Sequence, residues 1–135
     1  MGKGLLPELC MTAIGGADMA SLKEELDRIA TTEGVEMALV AGRDGFIIEY
    51  SGGEGSVAEG VGAIASSSLG ASEVIGQELG RGALGAAMLE YERGTVMMNR
   101  VGVDAVLLVV LAPDATIGKV RYDVKKIIPE LSAAL

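Results

Sequence analysis

The spacing of hydrophobic and polar positions changes several times along the chain, and each change marks an expected secondary-structure element. Apolar residues follow a helical period from Ser21 until Gly34 interrupts it, which predicts an opening helix. Alternating positions over residues 35–41 predict a strand, and residues 46–51 predict its returning partner. Turn residues at 42–45 separate the two segments, so we expect a β-hairpin.

The second half of the chain predicts one long helix followed by a meander. Residues 57–79 contain no proline and predict the longest helix. Segments 83–91, 95–101 and 104–112 are rich in apolar residues and are separated by short glycine-containing turns, which predicts three antiparallel strands. The last segment is apolar at every position after Asp104. We therefore expect it to be a central strand covered on both faces.

A final amphipathic helix completes the predicted domain. We expect Asp114 to cap it and Pro129 to bend or end it. The order of elements predicts an α+β sandwich, in which helices cover both faces of one five-stranded sheet. Residues 1–17 contain scattered glycine and proline and are expected to form a flexible leader, so residues 18–135 form the domain. The apolar side of the final helix comprises Ile117, Val120, Val124, Ile127, Ile128 and Leu131.

The long helix is unusual because most of its circumference carries small residues. Gly62, Ser66 and Gly70 are spaced by four and predict a smooth outer ridge. Each interior glycine costs about 1 kcal/mol relative to alanine, whereas small residues at this spacing let another backbone approach closely. We expect the ridge to meet a partner; the alternative is a helix enclosed within its own domain. The face expected to pack on the sheet comprises Val57, Val61, Ile64, Ser68, Ile75 and Leu79.

The strand at 83–91 is expected to lie at a sheet edge and has no acidic residue before Glu90. Exposed apolar edges invite pairing with another chain. Pairing of this edge between two subunits would cover it.

Composition narrows the possible chemistry. The formal net charge is −8 and aromatic residues are few, which argues against a nucleic-acid partner. The chain has no histidine, which excludes Ser–His and Cys–His catalytic arrangements, and Cys10 is its only cysteine. We expect a cytoplasmic protein that is not an enzyme, with no cofactor, no metal site and no membrane insertion. One basic cluster is expected to be a solvated helix face or a docking patch for an acidic partner or a membrane surface, and it comprises Lys119, Arg121, Lys125 and Lys126.

A glycine pattern at residues 80–85 (GRGALG) matches the spacing of a dinucleotide-binding fingerprint. That fingerprint must follow a strand and open a helix. Here it follows a helix and precedes a strand, so we interpret it as a chain reversal.

Several segments, in this order, resemble the Roadblock/dynein light chain family, including bacterial gliding-motility regulators of small Ras-like GTPases. The similarity covers about residues 20–133. The segments that carry it are Gly34-Val35, residues 38–47 (ALVAGRDGFI), the small-residue helix, residues 78–82 (ELGRG), residues 92–94 (ERG), Val101-Gly102, residues 104–107 (DAVL) and residues 112–118 (APDATIG).

The resemblance implies a profilin-like arrangement with the long helix on one face of the sheet and the two terminal helices on the other. It also implies subunit pairing through the long helix and the middle strand. Members of this kind accompany a Ras-like GTPase, and some promote hydrolysis without inserting an arginine. The arginines on loops that could serve as inserted fingers are Arg43, Arg81 and Arg93.

The sequence thus predicts a homodimeric, non-enzymatic adaptor that pairs with itself or with a paralogous Roadblock domain and regulates a small Ras-like GTPase. The alternative is a scaffold subunit of a motor or signalling complex without effect on nucleotide hydrolysis; a small-molecule sensor is a third, weaker interpretation. The residues predicted to bind the partner are Gly62, Ser66, Gly70, Glu73 and Gln77, and those predicted at the dimer interface are Leu69, Leu84, Ala86 and Met88.

Overall fold

The computed structural model describes residues 21–135. The predicted leader at 1–17, including Cys10, lies outside the described residues. The described elements are α1 (residues 21–30), β1 (Val35–Gly42), β2 (Ile47–Ser51), α2 (Gly55–Glu78), β3 (Ala86–Tyr91), β4 (Gly94–Val101), β5 (Ala105–Leu111) and α3 (Ile117–Ala134).

The five strands form one antiparallel sheet in the order β2-β1-β5-β4-β3. The apolar strand β5 lies at the centre, as its uninterrupted run of aliphatic residues predicted. Among the strands of residues 21–135, β3 pairs only with β4 and lies at an edge, as expected. Gly34 makes the tight turn into β1 at φ +92°, where a Cβ would lie 2.6 Å from the Cβ of Ala115, so no larger residue fits.

Each face of the sheet has its own core. On one face, α1 and α3 cover β-strand residues such as Val40, Val101 and Leu107. On the other face, α2 covers residues such as Leu39 and Leu108. The predicted α+β sandwich, with the long helix on one face and the terminal helices on the other, is confirmed.

The two ends of α3 differ from the sequence-based expectation. Thr116 occupies the cap position and makes no side-chain capping bond, so Asp114, two residues earlier, is not the cap. The helix continues through Pro129 to Ala134, so the prediction that Pro129 could end it is wrong. Pro129 is exposed, and water can satisfy the carbonyl group that loses its helical partner there.

Polar contacts tie α1 to its neighbours. Ser51 Oγ in β2 donates a hydrogen bond of 2.6 Å to Asp27 Oδ1, and this bond, helped by Lys23, lowers the pKa of Asp27. Glu25, on α1, is buried where this helix meets α3, and Arg28 Nη1 lies 3.0 Å from its Oε1. Burial, followed by hydrogen bonding with Glu130, raises the pKa of Glu25 despite the nearby guanidinium.

Candidate interaction surface

The side of α2 that packs against the sheet consists mostly of small residues. Ala58, Gly62, Ala65 and Leu69 are the buried residues of this helix. A Cβ on Gly62 would lie 3.3 Å from Cγ1 of Ile47. The absence of a side chain therefore lets the helix backbone settle closely onto β1 and β2.

This packing reverses the predicted orientation of the helix. Gly62 was expected on the outer ridge, but it contacts the chain's own sheet. The residues expected to pack on the sheet instead include Ile64, Ile75 and Leu79, which are 60–66% exposed. The physical reason is that close approach of a backbone requires small residues on the contacting side, and the sheet itself takes the place of the predicted partner.

A large apolar stripe therefore faces away from the core. We define the α2 stripe by its exposed aliphatic residues, which are Val57, Ile64, Val74, Ile75 and Leu79. Val61, beside them, is half-buried. Isolated exposed aliphatic residues are ordinary, but five on one helix, in two groups separated by residues 65–73, indicate an interaction surface.

The half of the sheet next to β3 extends this apolar surface. The helix α2 contacts β1, β2 and β5. Cross-strand pairing places Leu89, Val96 and Val110 in one row on the α2 face. Val96 and Val110 are only half-buried, and Leu89 is exposed. The open part of this row and the α2 stripe together present aliphatic groups on the same side of the molecule.

The predicted dimer-interface residues divide between the surface and the core. Ala86 and Met88 are exposed on the edge strand β3, and Leu84, just before it, is half-buried. Leu69 is buried in the chain's own core beneath α2, and its predicted part in the dimer interface stays a prediction. Its spacing from Gly62 and Ala65 puts it on the sheet-facing side of the helix.

The remaining predicted partner-binding residues lie along one flank of α2. Ser66 Oγ donates a hydrogen bond to the carbonyl oxygen of Gly42. A Cβ on Gly70 would meet no atom within 4 Å. Glu73 is largely covered, whereas Gln77 is exposed. Ser66 thus anchors the helix, and Gly70 and Gln77 remain accessible beside it.

Glu73 joins α2 to two arginines that sequence reasoning did not connect with it. Its Oε2 lies 2.9 Å from Arg100 Nη1 and 3.5 Å from Arg43 Nη2. These residues and Gln77 line a surface groove of about 630 Å³ that continues towards Leu84. Only the alternation of β4, which places Arg100 on the α2 face, could have indicated this contact from the sequence.

Arg43 is held in place rather than free to insert into a partner. Its Nε donates a hydrogen bond of 2.6 Å to the carbonyl oxygen of Val103, in addition to its contact with Glu73. An inserted arginine finger must reach out of its own protein. Arg81 and Arg93 lie exposed on turns beside β3 and are not restrained in this way by an ion pair within residues 21–135.

The described part of the chain contains no group of three or more carboxylate or thiol side chains placed to hold a metal ion. None of the helices within residues 21–135 has the length and apolar character needed to cross a membrane.

Comparison with known proteins places the chain in a family. The family model for the Roadblock/LC7 domain matches residues 22–112. The uncharacterized protein MJ0310 of Methanocaldococcus jannaschii is 37% identical over 103 residues, which cover 76% of this chain and 89% of that protein.

Solved structures agree with the fold. The gliding protein mglB from Thermus thermophilus superposes with a TM-score of 0.81 at 20% identity, covering 88% of this chain and 91% of that one. A structure described as MglB with tetrameric arrangement gives 0.81 at 21% identity, covering 88% and 90%. Acanthamoeba castellanii profilin IA gives 0.55 at 18% identity, covering 82% and 95%. With its five-stranded antiparallel sheet between helical layers, the chain belongs to the Roadblock/LC7 domain family.

Proposed function

We propose that the protein is a cytoplasmic, non-enzymatic adaptor that forms a homodimer and binds and regulates a small Ras-like GTPase. The observation that carries the proposal is the α2 stripe. It exposes five aliphatic side chains on a chain whose family resemblance implies subunit pairing through this same helix.

The first step is dimer formation. Two copies of the edge strand β3 pair antiparallel, and the second copy's α2 covers the α2 stripe and the open row at Leu89 and Val96. Removal of this apolar surface from water favours this step. The unpaired backbone groups of β3 gain hydrogen-bond partners at the same time.

The symmetry of this pairing determines which surfaces remain free. A two-fold axis normal to the sheet keeps both α2 helices on one side of the joined sheet and both α1/α3 layers on the other. In this arrangement, the flank of α2 that carries Gly70, Glu73 and Gln77 remains free at the border of the helix pair. We assign the GTPase contact to this flank of the helix pair.

The adaptor regulates hydrolysis by positioning the GTPase's own residues and does not insert Arg43 into the GTPase. The adaptor would hold residues of the GTPase itself in the arrangement that hydrolysis requires, which is a contribution from orientation. Ser66, Glu73 and Arg100 support that role by fixing α2 against the sheet.

The test is single-turnover phosphate release from the Ras-like GTPase encoded nearest to this gene, with and without the full chain. The proposal predicts that the chain binds the GTPase in its GTP form and changes the release rate. Binding with an unchanged rate would assign the protein to the scaffold alternative. No binding in either nucleotide state would contradict the proposal. Gln77→Ala should weaken the complex and leave the dimer intact, with Glu59→Ala on the same helix as the matched control.

A further inference from the structure

The outward side of α3 is basic although the chain as a whole is acidic. We define the basic face by its four exposed cations, which are Lys119, Arg121, Lys125 and Lys126. The formal net charge of the chain is −8. The two acids of α3, Asp123 and Glu130, line the groove towards α1 together with Lys126, at the edge of the basic face. Asp123 pairs with Lys119 at 3.2 Å, which leaves three cations on the face without an acid of α3 among them.

An exposed aromatic residue lies in the middle of these cations. Tyr122 is 63% exposed, and Lys126 Nζ is 5.3 Å from the centroid of its ring. The large aliphatic residues of α3, such as Val124 and Leu131, are buried against the sheet. The face therefore offers positive charge and one amphipathic ring, with no fully exposed large aliphatic side chain of α3 for deep insertion.

The basic face also lies opposite the proposed dimer and GTPase surfaces. The helix α3 covers one face of the sheet and α2 covers the other. In the proposed dimer, the two-fold axis places both copies of α3 on the same side, so the inference rests on the proposed function. The assembly then presents two basic helices side by side, facing the same way.

We infer that this basic face docks the dimer onto an anionic phospholipid membrane surface, peripherally and without insertion. Three of the four cations are lysines, whose ammonium groups are hydrated point charges suited to a diffuse anionic layer. Specific recognition of a carboxylate or phosphate group favours the planar guanidinium of arginine instead. Tyrosine rings are enriched at the headgroup level of membranes, where Tyr122 would lie. The neighbouring groove places Asp123 and Glu130 beside Arg28 and Lys126, so it offers no net positive charge to an acidic peptide.

The acidic remainder of the chain does not cancel this attraction. Screening limits electrostatic attraction to within about 8 Å at physiological ionic strength, so acids on the α2 side contribute little. The helix α1 lies on the same face of the sheet as α3, and its three acids and two bases add only one net negative charge there. Each basic residue near an anionic surface strengthens partitioning about fivefold. Two faces on one dimer act together, because the second binds at high effective concentration once the first is bound.

The experiment is co-sedimentation of the full chain with vesicles of phosphatidylcholine alone or with about a third phosphatidylserine. We expect binding to the anionic vesicles only, with loss at high salt. The double variant Lys125→Gln/Lys126→Gln should lower partitioning at least about twentyfold, since each lost base counts about fivefold. Arg81→Gln/Arg93→Gln, which changes the net charge equally at exposed positions outside α3, should bind as the unmodified chain does.

The outcomes separate the membrane proposal from its rivals and from the dimer proposal. Absence of binding to anionic vesicles would overturn it, as would equal loss in both double variants. Binding of poly-glutamate or duplex DNA without vesicle binding would overturn it and assign the face to an acidic macromolecule. Light scattering on the same samples reports the dimer independently, so a monomer that still binds vesicles refutes only the pairing, and a dimer that does not bind refutes only the docking.

Discussion

Glu25 is a carboxylate whose ionisation is opposed by the fold. Burial and the nearby Glu130 raise its pKa above the ordinary 4.5. A raised carboxyl pKa means that the folded state binds the proton more tightly than the unfolded state does. The stability that protonated Glu25 contributes is therefore complete at pH values below its pKa in the unfolded chain. It is lost as pH rises through its pKa in the folded protein. Glu25→Gln should therefore increase the free energy of unfolding at pH 7, and the gain should vanish below about pH 4. Urea denaturation at both pH values measures this; a variant less stable at pH 7 would contradict it.

Glu73 is the point at which α2, the β1–β2 turn and β4 meet. Glu73→Gln removes the charge that faces Arg43 and Arg100. We expect the free energy of unfolding to fall by about 1–2 kcal/mol. This is less than the roughly 3–5 kcal/mol typical of breaking a fully buried ion pair, because Arg43 is half exposed. Chemical denaturation measures the loss, and Glu59→Gln at an exposed position of the same helix is the control. Equal stability of both variants would show that the contacts contribute nothing.

At the scale of single elements, the glycines of α2 fall into two physical classes. A Cβ on Gly60 meets no atom within 4 Å, whereas one on Gly62 meets Ile47 and Ala41. Gly60→Ala should stabilise the fold by about 0.5–1 kcal/mol through helix propensity. Gly62→Leu should destabilise it by about 1–3 kcal/mol or more, because the added side chain overpacks the contact with β1 and β2. Thermal denaturation of the two variants checks both signs, and stabilisation by Gly62→Leu would contradict the observed orientation of α2.

The edge strand β3 is expected to pair with a second subunit, with its α2 face in the pairing surface. Leu89 lies on the α2 face in the apolar row, and its neighbour Glu90 points to the opposite face. Leu89→Lys should weaken dimerisation by about 1–2 kcal/mol, roughly tenfold in Kd, because it places a charge in the centre of the pairing surface. Glu90→Lys should have a smaller effect. Sedimentation velocity over a concentration series measures both, and the reverse order would place the interface on the other face.

At the scale of the whole molecule, the strand order and the layers could be predicted because alternation, turn residues and the apolar run of β5 leave few arrangements. The orientation of α2 could not. That helix carries few charges, and one of them, Glu73, lies on the flank of the buried Gly62, so the pattern does not say whether Gly62 or Ile64 faces inward. The answer depends on how closely β1 and β2 let the backbone approach, which is a tertiary property. The contact between Glu73 and Arg100 likewise joins elements that are distant in sequence.

The most direct test of the account is the mass of the full chain in solution by multi-angle light scattering at micromolar concentration. The account predicts twice the 13.8 kDa chain mass. Ile64→Glu, at the centre of the α2 stripe, should give a folded monomer, and Val103→Glu, an equally exposed aliphatic position outside the stripe, should remain a dimer. A monomeric unmodified chain, or a dimer that Ile64→Glu leaves unchanged, would contradict the claim that α2 is the pairing surface.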